Sequence, residues 1–188
     1  MRRAHGSYWG VDTDKKKPAM LLLAILLAQA TGIAKVIEDS RYRFRVDLPG
    51  IVSDRIDQSD AKTGPLVWRA YTSSSPNGQR DAYTASIKVF ETDSSDTRVL
   101  FEAGESDASQ SLGATLIGRR DGTFGAAGLP SRTLTFQNGR DGAADMLRAT
   151  VLLVVNGKRL YVLTFSFTGG TDQTPLARKL FASFEILK

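Results

Sequence analysis

Apolar and polar residues alternate one for one along RYRFRVDLP. Tyr42, Phe44, Val46 and Leu48 point one way, and Arg41, Arg43, Arg45 and Asp47 the other. A period of two predicts a half-buried strand, and Pro49-Gly50 stops it. A polar stretch from Ser53 to Gly64 follows. LVWRAYTS and AYTASIKVFET then predict two more strands. They are joined by SSPNGQR, where Pro76, Asn77 and Gly78 mark a hairpin loop.

The period changes between Asp96 and Gly118. Asp96 is placed to cap a short helical piece holding Val99, Leu100 and Ala103, with Gly104 expected to break it. Ala108, Leu112 and Leu116 then recur at four-residue spacing, along one helical stripe that Gly113 weakens. RRDGTFGAAGLP reads as a glycine-rich connector. SRTLTFQ, DMLRATVLLVV and RLYVLTFSF predict three further strands, the last two joined through Asn156-Gly157, a pair that tolerates positive φ. The second half of DMLRATVLLVV is apolar on both faces, as expected of a central strand covered on both sides. Thr174-Pro175 opens a last helix, with the threonine as cap and Leu176, Leu180 and Phe181 as its apolar stripe. The fold expected is α+β: a largely antiparallel sheet of about six strands with helices packed on it.

The chain begins differently. KKKPAMLLLAILLAQAT sets three lysines before an apolar run that ends in Ala-Gln-Ala. That is the order of a secretory signal, with a cut between Ala30 and Thr31. The rival reading is a retained anchor. A spanning helix needs about 20 apolar residues, and Gln29, Thr31 and Gly32 interrupt this run early, with Lys35 close behind. The expected organisation is a signal peptide over 1–30 and one α+β domain over 31–188. The expected location is periplasmic or secreted, or the inner membrane if the leader is retained.

The leader changes what composition means. The chain of 188 residues has 25 basic and 20 acidic residues, a formal charge of +5. Arg2, Arg3 and Lys15 to Lys17 lie in the leader, as do Asp12 and Asp14, so the remainder carries about +2. That is no electrostatic footprint for nucleic acid. There is no cysteine, and the single histidine is His5, in the leader. The remainder therefore offers no histidine base, no Cys-His or Ser-His-Asp arrangement, and no imidazole or thiolate for a metal. Any catalysis would rest on carboxylate, lysine or tyrosine chemistry, or on a metal held by oxygen. No cofactor is expected.

Three motif-like stretches lack their context. Ser59 to Lys62 fits S-x-x-K and Lys62-Thr63-Gly64 spells K-T-G, but the two share a lysine in a polar loop, where penicillin-binding enzymes keep them far apart. Gly122, Gly125 and Gly128 lack the Gly-Lys-Ser/Thr of a phosphate loop. Asn138, Asp141 and Asp145, like Asp93 and Asp96, miss the calcium-loop pattern. Trp68 and Tyr71 read as core or half-core residues. The Arg41/Arg43/Arg45 row is the candidate partner-binding site: three like charges on one strand face need solvent, acidic neighbours or an acidic partner.

YRFRVDLPG, a helix midway, Gly-Leu-Pro-Ser at 128–131, LLVVNGKRLYVLTFSF and a late helix ending in SFEIL together resemble the PsbP-like α/β/α sandwich. That fold is shared by the extrinsic PsbP proteins of photosystem II, a Ran-binding nuclear import factor and many secreted bacterial proteins. The resemblance covers roughly residues 40–188, and it implies a non-enzymatic domain that binds a protein complex or partner. No residue here matches a photosystem or Ran-binding site, so it assigns no functional residue. The expected function is a secreted or periplasmic accessory domain acting through a protein partner with an acidic surface. The alternatives are a hydrolase of carboxylate or oxygen-metal chemistry and an envelope lipid-binding protein.

Overall fold

The computed structural model describes residues 34–58, 67–74, 82–139, 146–169 and 172–188. The leader with its Ala30/Thr31 junction, the Ser59–Lys62 and Lys62–Gly64 motifs, the loop at Pro76 to Gly78, and Asp141 and Asp145 lie outside them, as does the Trp68 side chain.

Ten strands and two helices are formed among the described residues. They are β1 Lys35–Asp39, β2 Phe44–Leu48, β3 Ile51–Gln58, β4 Val67–Ser74, β5 Tyr83–Glu91, α1 Thr97–Leu112, β6 Thr115–Phe124, β7 Leu129–Asn138, β8 Leu147–Asn156, β9 Arg159–Thr168, α2 Thr174–Ser183 and β10 Glu185–Ile186. Seven strands form one sheet in the order β3-β4-β5-β9-β8-β7-β6, and three form a second, β1-β2-β10. Each neighbouring pair is antiparallel. The α+β class expected from the pattern is the one observed, with more strands than expected.

The large sheet is covered on both faces, which explains its doubly apolar central strands. Val151, Leu153 and Val155 of β8 and Leu160 and Val162 of β9 pack with Leu100, Phe101 and Ala108 of α1. Val154, Tyr161, Leu163 and Phe165 point to the other face, where they meet Phe44, Val46 and Leu48 of β2 and Ala177 and Leu180 of α2. Side chains as fully buried as Phe44, Ile87 and Leu163 each contribute roughly 1.5–3 kcal/mol.

Several boundaries differ from the sequence expectation. Gly104 does not break α1: the helix runs through it, and its bare Cα faces Leu160 and Leu153. Asp96 caps the whole helix, accepting from the Arg98 N–H at 2.9 Å and the Val99 N–H at 3.4 Å. The helix ends at Leu112, and Gly113 closes it in the left-handed region, so Leu116 belongs to β6. The stretch read as a connector is mostly strand, with Gly125–Gly128 as the four-residue loop between β6 and β7. Within the described residues the polar stretch is strand from Ser53 to Gln58, part of β3, and β1 precedes the first expected strand. In the β8–β9 hairpin Asn156 pairs with Arg159, so the central residues are Gly157 and Lys158, with Gly157 at φ +61°. Helix α2 is capped one residue earlier than expected, at Gln173, and Asp172 Oδ1 accepts from the Thr174 N–H at 2.9 Å.

Candidate functional site: a cleft at one end of the large sheet

The end of β5, the β6–β7 loop and the β8–β9 turn meet at one end of the large sheet, on the face that carries the small sheet. The start of β2 and the segment around β10 close the other side. Between them lies an open cleft of about 980 Å³. Its apolar lining is Phe124, Leu129, Phe184 and Ile186, with the Phe124 and Phe184 rings 5.2 Å apart. Its charged lining includes Arg43, Glu91, Lys158, Arg159 and Glu185.

Arg159 and Glu91 belong to a relay that runs from these half-buried charges into the core. Arg159 donates to Glu91 Oε1 from Nε at 2.8 Å, and its Nη2 lies 2.7 Å from the same oxygen in an ion pair. Next along the same strand face, the Tyr161 hydroxyl donates to the Tyr42 carbonyl at 2.7 Å. Burial works against the Arg159 charge, but the bond to Glu91, helped by the nearby Tyr161, outweighs it and raises the guanidinium pKa. Burial likewise pushes the Tyr161 phenol up, against the opposing pull of Arg159. The relay therefore ties β5 and β9 to the backbone of the β1–β2 turn.

A second anchor holds the same turn from the other end. Asp39 is buried and accepts at Oδ1 from the Arg41 and Tyr42 N–H groups at 3.0 and 3.1 Å. Its Oδ2 accepts from the Tyr71 hydroxyl at 2.9 Å. Arg43, the last residue of the turn, has φ +54°, the sole positive φ among the described non-glycine residues. Left-handed backbone is ordinarily left to glycine or asparagine, because Cβ crowds the carbonyl.

The Arg41/Arg43/Arg45 row does not survive as one strand face. All three arginines are exposed, as the alternation predicts, but Arg41 and Arg43 lie in the turn and only Arg45 is in β2. Arg45 stands opposite Glu38 of β1 and Glu185 of β10, the acidic neighbours that such a charge needs. Arg41 sits with Cζ 5.3 Å from the Tyr42 ring centre. Arg43 alone of the three lines the cleft. Tyr71 is buried, as expected. Asn138 donates to the Gly113 carbonyl at 3.2 Å and Asp96 caps α1, so both have structural work in place of calcium. Among the described residues no cluster of three or more potential metal ligands occurs, and no helix is long and apolar enough to cross a membrane.

Sequence reasoning missed the cleft, including Glu91, Lys158 and Arg159. A second charged cluster lies on the far face, where Arg132 bonds Asp121 at 2.6 and 3.1 Å and stacks 4.7 Å over the Phe101 ring. The Arg132 hydrogen bond holds Asp121 below the usual carboxylate range. Glu105 of α1 takes Arg119, so these charges satisfy one another and bind α1 to the β6–β7 ribbon.

No protein-family model matches the chain, and no curated protein matches it. Solved structures do. A Bacteroides thetaiotaomicron protein aligns over 83% of this chain at 12% identity and a TM-score of 0.48, and the chain spans 49% of that protein's length. The Saccharomyces cerevisiae Ran-binding protein Mog1p aligns over 82% of this chain and 96% of its own, at 13% identity and 0.48. LpqN, involved in cell envelope biogenesis of Mycobacterium tuberculosis, aligns over 74% and 86%, at 15% identity and 0.37.

Proposed function

We propose that the chain is exported, is cut between Ala30 and Thr31, and works over residues 31–188 as a non-enzymatic accessory domain that docks a protein partner in the cleft. One observation carries this reading. An apolar floor of Phe124, Leu129, Phe184 and Ile186 lies beside two cations, Arg43 and Lys158, that make no ion pair among the described residues. A surface that joins aromatic area to uncompensated charge is typical of a recognition patch. The Glu91 carboxylate beside them is already engaged by Arg159, which leaves it poorly placed to act as a general base. Beyond the leader the chain has neither histidine nor cysteine.

The test is site-specific photocrosslinking in the cells that make the protein. A benzophenone side chain at Ala127, exposed in the cleft-lining β6–β7 loop, is expected to give a discrete protein adduct, and one at Ser106, on α1 across the sheet, to give none. Identical adducts from both positions, or substrate turnover by the purified protein that Glu91→Gln abolishes, would overturn the reading. N-terminal sequencing of the same protein is expected to begin at Thr31. A start at Met1 removes the export part of the proposal.

A further inference from the structure

The cleft has a third property besides its floor and its cations: one wall is the open edge of a β-sheet. β10 is the end strand of the small sheet. The Leu187 N–H donates to the Arg43 carbonyl at 2.8 Å, and Glu185 stands opposite Arg45. Bonded residues alternate along an antiparallel pair. Residues 185 and 187 therefore turn their backbone groups to β2, and the N–H and C=O of Ile186 face the open side. Phe184 to Lys188 all line the cleft. The two acidic residues there already have basic neighbours, Glu91 in its ion pair with Arg159 and Glu185 in register with Arg45. The charge left over is positive and belongs to Arg43, Lys158 and Lys188.

Resting on the docking role proposed above, we infer that the occupant is an extended acidic segment of the partner, added as a strand to β10. Its backbone pairs with Ile186. A carboxylate lies between Arg43 and Lys158, and an apolar side chain two residues away, on the same face of the strand, rests on Phe124 and Phe184. Strand addition takes affinity from main-chain bonds and specificity from alternate side chains. The apolar floor and the cationic rim supply those two alternating preferences. The carboxylate comes from an aspartate or glutamate side chain or from a chain terminus, chemically the same group.

The experiment is a selection of the purified protein against a displayed library of random decapeptides, followed by fluorescence anisotropy with the selected consensus peptide. Enrichment of an acid two residues from an aromatic or aliphatic residue is expected. Arg43→Gly and Lys158→Ser are each expected to weaken the consensus peptide about tenfold, the usual scale for losing a charge-assisted bond. N-methylation of the peptide's inward-facing amides, which leaves the protein untouched, is expected to abolish binding. A C-terminally amidated peptide that still binds identifies the side-chain carboxylate. Binding lost on amidation identifies the terminal one. No acidic enrichment, unchanged binding by the double variant or by the N-methylated peptide, or capture of phosphatidylglycerol vesicles alone overturns the inference. If a benzophenone at Ala127 crosslinks a partner in cells while no acidic peptide is selected, the docking role stands and the strand-addition mode falls.

Discussion

The Tyr161 hydroxyl donates to the Tyr42 carbonyl across the gap between the two sheets, 119 residues apart in sequence and 2.7 Å apart in space. The bond fixes the turn from which Arg43 reaches the cleft. Both groups are buried, so neither finds water when its partner is removed.

Tyr161→Phe therefore leaves the buried Tyr42 carbonyl short of a bond. The expected cost is about 1–2 kcal/mol, the usual scale of an orphaned buried polar group. Urea unfolding measures it. An unchanged midpoint would show that the bond contributes nothing.

The same phenol makes stability depend on pH at the alkaline end. Burial raises the Tyr161 pKa above its ordinary value of 10.0, and burial raises Tyr83 also. Above pH 10 the unfolded chain gives up phenolic protons that the native state retains. Stability is thus full below the unfolded pKa and is lost as pH climbs through the folded one. Melting temperature is expected to fall as pH rises above the ordinary phenol value of 10.0, and less steeply in Tyr161→Phe. Parallel pH profiles for the two proteins would contradict the assignment.

Arg43 carries a cost that glycine would not. Replacing a side chain at φ +54° with glycine removes the left-handed penalty, partly offset by a freer unfolded chain. Arg43→Gly is expected to stabilise the protein by about 1 kcal/mol, while Arg43→Ala, which keeps Cβ, gains nothing. A gain in stability joined to a loss of binding is the signature of strain kept for function. Equal unfolding midpoints for the glycine and alanine variants would remove strain from the account.

Gly104 makes the opposite kind of demand. A Cβ placed there would lie 3.0 Å from Leu160 Cδ2 and 3.1 Å from Leu153 Cδ2, both fully buried side chains. Gly104→Val is expected to destabilise by about 2 kcal/mol or more through overpacking between α1 and the sheet. Thermal denaturation decides it, and an equal or higher melting temperature would show that the leucines move aside freely.

How far the sequence discloses this molecule depends on burial. β8 and β9 are legible because covering both faces of a strand demands an unbroken apolar run, and Asn156-Gly157 punctuates it. β1, β3 and β6 are end strands of their sheets. β6 is exposed along most of its length, so packing imposes no alternation on TLIGRRDGTF, and its glycines and charges resemble a loop. Gly104 misled for a related reason: a glycine chosen for close packing looks like a helix breaker until the facing leucines are known. The cleft is less legible still. Arg43, Glu91, Phe124, Lys158 and Ile186 come from five separate segments, and no spacing along the chain encodes their meeting. The arginine alternation was correct about exposure but left solvent, acidic neighbours and an acidic partner open, because the sequence alone does not place Glu38 and Glu185 on either side of Arg45.

That difference allows the three arginines to be tested one at a time. Arg45→Glu would place three glutamates side by side across β1, β2 and β10. Like charges directly opposite one another cost up to about 1 kcal/mol per pair, so this variant is expected to unfold more easily. Arg41→Glu sits exposed in the turn beside the Tyr42 ring. It is expected to change stability by no more than about 0.5 kcal/mol, as surface substitutions usually do, and to leave binding intact. Arg43→Glu keeps its Cβ and its strain, so stability holds, but it reverses the charge at the cleft. It is expected to abolish the Ala127 crosslink in cells. Chemical denaturation and crosslinking yield, measured on the same three proteins, separate the roles. If Arg41→Glu lowers the crosslink as far as Arg43→Glu does at unchanged stability, the arginines act together as an electrostatic patch and the cleft loses its place as the docking site.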